Sequence, residues 1–159
     1  MTSEERTLTP EQRGAIEAAG ESRNALVEAQ EHLIKALGRP QPGRERRWAV
    51  KVADELRAAR DALGRYRAEV ESDEGLYGEL QRDAPWLQAR LHQFRNQLSR
   101  VDQEAAHLAQ EVDRVTGGDT EALPAIRNDA EHMLVVLRDL FAREADLIWE
   151  QFNEPAALD

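Results

Sequence analysis

Two carboxylate–histidine pairs stand at helical spacing in this 159-residue chain, Glu104-x-x-His107 and Asp129-x-x-His132. Helices that face one another and turn such pairs inward can hold two metal ions, iron or manganese, between carboxylate oxygens and imidazole nitrogens. Folding the chain back around Gly118 sets Glu104 level with His132 and His107 level with Asp129. Glu28 or Glu31 and Glu55 fall at a similar height on two further helices. Direction argues against an inward site. At 100° per residue, His132 points roughly 140° from the stripe centred on Leu137, and Asp129 about 80° from it. His107 lies roughly 100° off the stripe through Val101, Ala105 and Leu108, while His32 and His92 fall on polar faces. The expectation is therefore two surface pairs between neighbouring helices, Glu104/His132 and His107/Asp129, worth about 0–1 kcal/mol each, with no metal and no cofactor bound.

Glu144 is a different kind of candidate. It stands one turn after Leu140 and Phe141 and one turn before Leu147 and Ile148, so its helix should point it at the core. A carboxylate placed there needs a partner, because leaving it unpaired costs several kcal/mol. An interior ion pair with an arginine, or a rim position that water reaches, would meet that need. A ligand-binding or proton-handling carboxylate in a bundle cavity is the sharper alternative, but no histidine shares its face.

These residues must be positioned by helices, whose limits are legible. Thr9-Pro10-Glu11-Gln12 supplies an N-cap, a proline at the first helical position and a capping-box glutamine. Ile16, Ala19, Leu26, Leu33 and Leu37 then recur at helical spacing until Gly38-Arg39-Pro40 stops the segment. A second stripe runs through Val52, Leu56, Ala59, Leu63, Tyr66 and Val70. Residues 71–84 read as a connection holding one helical turn around Leu76, Tyr77 and Leu80, and Pro85 suits the first turn of the next helix. That third helix carries Leu87, Leu91, Phe94, Leu98, Val101, Ala105, Leu108, Val112 and Val115, alternating steps of four and three along about 43 Å. The fourth carries Ile126, Ala130, Met133, Leu134, Leu137, Leu140, Phe141, Leu147, Ile148 and Phe152. Helices over about 10–38, 44–71, 84–116 and 120–152 predict one all-α domain, an antiparallel up-down-up-down four-helix bundle. An extended coiled coil dimerising through the third helix is the competing architecture. Trp86, Trp149 and Tyr77 should gather at one end of the bundle as an aromatic cap.

Composition narrows the function classes. The absence of cysteine removes disulfides, thiolate metal sites and cysteine nucleophiles. Acidic residues outnumber basic ones 31 to 21, a net charge of −10, which argues against a nucleic-acid partner. The longest apolar run, Met133 to Leu137, is far short of a membrane span, and the polar, acidic opening segment reads as cytoplasmic. Gly117-Gly118 lacks the setting of a phosphate loop, and no serine sits in a nucleophile elbow. Charge is uneven, however. From Gly43 to Val70 there are eight basic and five acidic residues, a net of +3, so the rest of the chain carries −13. Arg44, Arg46, Arg47 and Trp48 open that segment, which reads as a solvated face complementing acidic neighbours or, more sharply, as a docking patch for an acidic partner or nucleic acid.

The run Asp73-Glu74-Gly75-Leu76-Tyr77-Gly78-Glu79-Leu80, followed by Pro85 and Leu87, is similar to the acidic, Leu-aromatic turn between the second and third helices of hemerythrin-like (HHE cation-binding) domains. The segment Arg143-Glu144-Ala145-Asp146-Leu147-Ile148-Trp149-Glu150 resembles the end of that family's last helix, and His32 sits near the end of helix one, where a ligand is expected. The resemblance implies a four-helix bundle but not the family's iron chemistry. Where the family's second helix has His and then Glu, this chain has Ala68 and Ser72. Arg95 stands near the third-helix His position, and Leu140 and Phe141 near the last one, with Glu144 as the surviving carboxylate. The implied relative is a degenerate copy without its metal site. The function expected is non-enzymatic, through a protein partner or homodimer, with the third helix or the Arg44–Trp48 corner as contact surface. A di-metal or small-ligand-binding bundle is the alternative.

Overall fold

The computed structural model describes residues 9–152. Its elements are α1 (Pro10–Ala36), α2 (Glu45–Glu71), the short α3 (Leu76–Asp83), α4 (Gln88–Thr116) and α5 (Leu123–Phe152). No strand occurs among the described residues, and the four long helices form an all-α bundle. Two 3₁₀ turns, Pro85–Leu87 and Thr120–Ala122, lead into α4 and α5. These turns absorb residues that periodicity alone assigns to the helices, because a proline ring and an Asp119 cap both favour a tight first turn. The connection after α2 holds a full eight-residue helix where a single turn is expected.

Caps explain the ends. Thr9 Oγ1 accepts from the Gln12 amide at 3.1 Å, and the Gln12 side chain accepts from the Thr9 amide at 3.0 Å. The C-terminal ends of α2 and α4 are met by arginines of a neighbouring helix. Arg95 of α4 donates Nε and Nη2 to the Val70 carbonyl at the end of α2, at 3.0 and 2.8 Å. Arg46 of α2 donates to the Thr116 carbonyl at the end of α4, at 3.2 Å. Both place a cation at the negative pole of a helix. They also show that α2 and α4 run antiparallel, as Glu104–His132 and Arg90–Glu150 show for α4 and α5. Gly78 lets α3 fold against the preceding turn, since a Cβ there would run into the Asp73 backbone.

The core is the set of seams. Residues 49, 52, 56, 59, 63, 66 and 70 of α2 and 91, 94, 98, 101, 105, 108, 112 and 115 of α4 are all buried. The α4 stripe is thus consumed inside the bundle and is not free to serve as a coiled-coil dimer seam. Tyr66 meets Phe141 edge to face at 6.1 Å, and Tyr77 stacks on Phe94 at 6.0 Å. Tyr77 is buried whereas Trp86 is exposed, so the two do not form one aromatic cap; the Trp149 part of that expectation lies outside the described side chains. Backbone approaches within 8 Å join α1 to α2, α2 to α4 and α4 to α5, but hardly occur between α1 and α5. That edge of the bundle is the loosest.

Candidate functional site

The seams of α1 and α5 carry the polar residues that the other two avoid. Continuing the three-four alternation of α5 through Ile126, Ala130, Met133, Leu137 and Leu140 lands on Glu144 and then Leu147. Glu144 is 1% exposed. The same alternation on α1, through Ile16, Ala19, Leu26, Leu33 and Leu37, lands on Arg23 and Gln30 in the gaps. Arg23 Nη1 faces Glu144 Oε1 at 3.9 Å, with the arginine side chain 39% exposed, so the two seams meet in a long ion pair that reaches water from one side. Glu144 Oε2 is buried without a hydrogen-bond partner. Burial pushes the Glu144 carboxyl up to about 7, against the pull of Arg23. The hydroxyls of Tyr66 and Tyr77 are also buried and unpartnered. Burial raises the Tyr77 phenol well above its ordinary range, which Arg23 only partly offsets.

This arrangement holds a proton on a carboxyl near neutral pH. The central crevice between the four helices, lined by Leu26, Gln30, Leu33, Leu56, Met133 and Leu137 among others, has a free volume of about 10 Å³. That is at the lower limit for a single water. The core does not fit a pair of iron ions either. Ala68 and Ser72 carry no metal-binding group, Arg95 is committed to the Val70 carbonyl, and Phe141 packs on Tyr66. Glu144 is the only core carboxylate among the described residues, and His32, His92, His107 and His132 are all exposed.

A second site lies on the surface between α4 and α5. A groove of about 510 Å³ is lined by Arg100, Gln103, Glu104, His107, Asp129 and His132. Glu104 Oε1 and His132 Nε2 stand 3.5 Å apart, the expected cross-helix pair. His107 differs from expectation. Its Nε2 faces Glu111 Oε1 at 3.1 Å, one turn along the same helix, and ligand atoms of His107, Glu111 and Asp129 all lie within 4.8 Å of one another. The expected pair His107/Asp129 is therefore two sides of a triad with Glu111 between them. Burial first, and then the neighbouring Asp129 carboxylate, raise the Glu111 carboxyl above its usual range despite His107. The signal that identifies Glu111 is its i,i+4 spacing from His107, which puts both on one face of α4.

The third site is the corner where α1 turns into α2. Trp48 is half-buried, and its indole donates to the Gly38 carbonyl at 2.6 Å, so it holds the turn rather than offering itself to a partner. Arg44, Arg46 and Arg47 are exposed. The turn brings Lys35, Arg39 and Lys51 to the same corner, all exposed as well. No family model, curated protein or solved structure matches this chain.

Proposed function

We propose that the protein is a non-enzymatic, cytoplasmic interaction module that docks an acidic protein segment at the α1–α2 corner. One observation carries this reading. Residues 35–51 hold six cations and a single acid, Glu45, within a chain whose net charge is −10. None of the six cations forms an ion pair within 4.0 Å among the described residues. Ile34 and Val50, exposed by 46% and 48%, add apolar area in the same stretch. That mixture suits an acidic peptide with apolar side chains better than a bare phosphate chain, which has no apolar side chains to cover Ile34 and Val50.

The test is binding of a labelled glutamate-rich peptide containing leucines, followed by fluorescence anisotropy at several salt concentrations. Arg46 caps α4 and is left in place; Arg39, Arg44 and Arg47 are replaced together by glutamate. The expected result is saturable, salt-sensitive binding that the triple variant weakens by at least about tenfold. Equal binding by the triple variant, or tighter binding of duplex DNA than of the peptide, overturns the reading. A concentration-dependent increase in mass by light scattering that the triple variant abolishes would identify the acidic partner as a second copy of this chain.

A further inference from the structure

The triad at the foot of the α4–α5 groove has the composition and convergence of a metal site. One ligand atom from each of His107, Glu111 and Asp129 lies within 4.8 Å of the other two. Bonds of about 2.0–2.2 Å to imidazole nitrogen and carboxylate oxygen leave ligand atoms of one ion roughly 3–4.4 Å apart, so small rotamer adjustments close the site. His107 and Glu111 are held on one face of α4 by their i,i+4 spacing, and Asp129 reaches across from α5. Two carboxylates in contact beside one imidazole also leave an electrostatic debt. Either a shared proton or a cation must sit between them. Glu111 Oε2 is itself fully buried with no hydrogen-bond partner, an oxygen aimed away from water with nothing to bind. Glu104 Oε2, in the adjoining turn of the same groove, is in the same state.

We propose that His107, Glu111 and Asp129 bind one first-row divalent cation of borderline softness, with zinc as its type, through His107 Nε2 and one oxygen from each carboxylate. The mixed nitrogen and oxygen set favours zinc, cobalt or manganese over calcium and magnesium, which take oxygen ligands. His107 is 64% exposed and Glu111 12%, so the ion is gripped from the helix side and stays open to water on the groove side. Three protein ligands with the remaining positions on solvent is the arrangement of an accessible zinc ion rather than a closed structural one. The ion ties α4 to α5, neutralises the carboxylate pair and supplies the cation that Glu111 lacks. This site is separate from the docking corner in residues and in chemistry, and either can fail without the other.

The experiment uses the full chain, stripped with a chelator and titrated calorimetrically with Zn²⁺, and separately with Co²⁺ while visible absorption is recorded. One equivalent of Zn²⁺ is expected, with Ca²⁺ showing no saturable heat. His107→Ala, Glu111→Gln and Asp129→Asn should each weaken Zn²⁺ binding by at least about tenfold and remove the cobalt bands, since each deletes a ligand. His132→Ala and His92→Ala are controls that should leave the affinity within about twofold. Circular dichroism establishes that each variant is folded. In the parent, saturating Zn²⁺ should raise the melting temperature, and this gain should vanish in Asp129→Asn. No saturable binding of Zn²⁺ or Co²⁺, or binding lost in His132→Ala but kept in His107→Ala, overturns the proposal.

Discussion

A glutamate in a hydrocarbon seam makes this protein's stability depend on pH in an unusual direction. Glu144 keeps its proton in the folded chain up to about pH 7, from an ordinary value of 4.5. Between those values the folded state binds more protons than the unfolded one, so raising pH through the window from about 4.5 to 7 lowers stability. The full penalty, present above pH 7, is at most about 3 kcal/mol, given the size of the shift. Glu144→Gln keeps the shape and removes the ionisation. Its melting temperature should exceed that of the parent at pH 8 by several degrees, roughly 2–4 °C per kcal/mol, and match it at pH 4.5. Equal melting temperatures at pH 8 would show that Glu144 ionises freely. The inward position of Glu144 was readable from its apolar neighbours, because burial of a stripe carries every member of its register inside. Its counter-ion Arg23 was not, because a stripe read only from apolar residues passes over a polar member. Gln30 was missed in the same way, and Glu111 because its role depends on an Asp129 reached through tertiary packing.

Two helices, α2 and α4, end on arginines borrowed from a neighbour. Nineteen of the 21 basic residues are arginine. Arg95 grips one carbonyl with two of its nitrogens, a geometry a lysine cannot reproduce. Arg67 shows the same forked use, reaching Glu71 at 2.9 Å and Asp102 at 3.0 Å and so tying α2 to α4. Arg95→Ala should cost about 1–3 kcal/mol in urea unfolding, the scale of charged hydrogen bonds to a part-buried carbonyl. Arg95→Lys should recover less than half of that loss. A loss below about 0.5 kcal/mol for Arg95→Ala would assign the α2 end to water. The four long helices were legible from capping residues and three-four spacing, since both are local physics. Helix α3 was legible only as a turn, because its eight residues depend on Gly78 fitting against Asp73 and on burying Leu76, Tyr77 and Leu80. No local rule predicts that packing.

At the scale of the molecule the polar residues fall where the bundle is least closed. Seam positions on α2 and α4 hold only hydrocarbon and tyrosine, and these two helices pack closely along their length. Seam positions on α1 and α5 include Arg23, Gln30 and Glu144, and here the backbones stay apart. A half-exposed arginine 3.9 Å away offsets little of the burial cost of Glu144, whereas leucines at both positions would draw the helices together. Helix α1 buries only Ala19, Leu26, Gln30, Leu33 and Ala36, fewer residues than any other long helix, so it should open first. Native-state hydrogen exchange should then show α1 amides exchanging through a lower-energy opening than the amides of α2 and α4. The double variant Arg23→Leu/Glu144→Leu should raise the opening free energy of α1 and the global stability together, by about 1–4 kcal/mol. Arg23→Leu alone should do the reverse at pH 8, where it strands an uncompensated carboxylate, and should lose that cost at pH 4.5. Uniform protection across the four helices in the parent, or a double variant less stable than the parent at pH 8, would mean that the Arg23–Glu144 pair closes the bundle instead of loosening it.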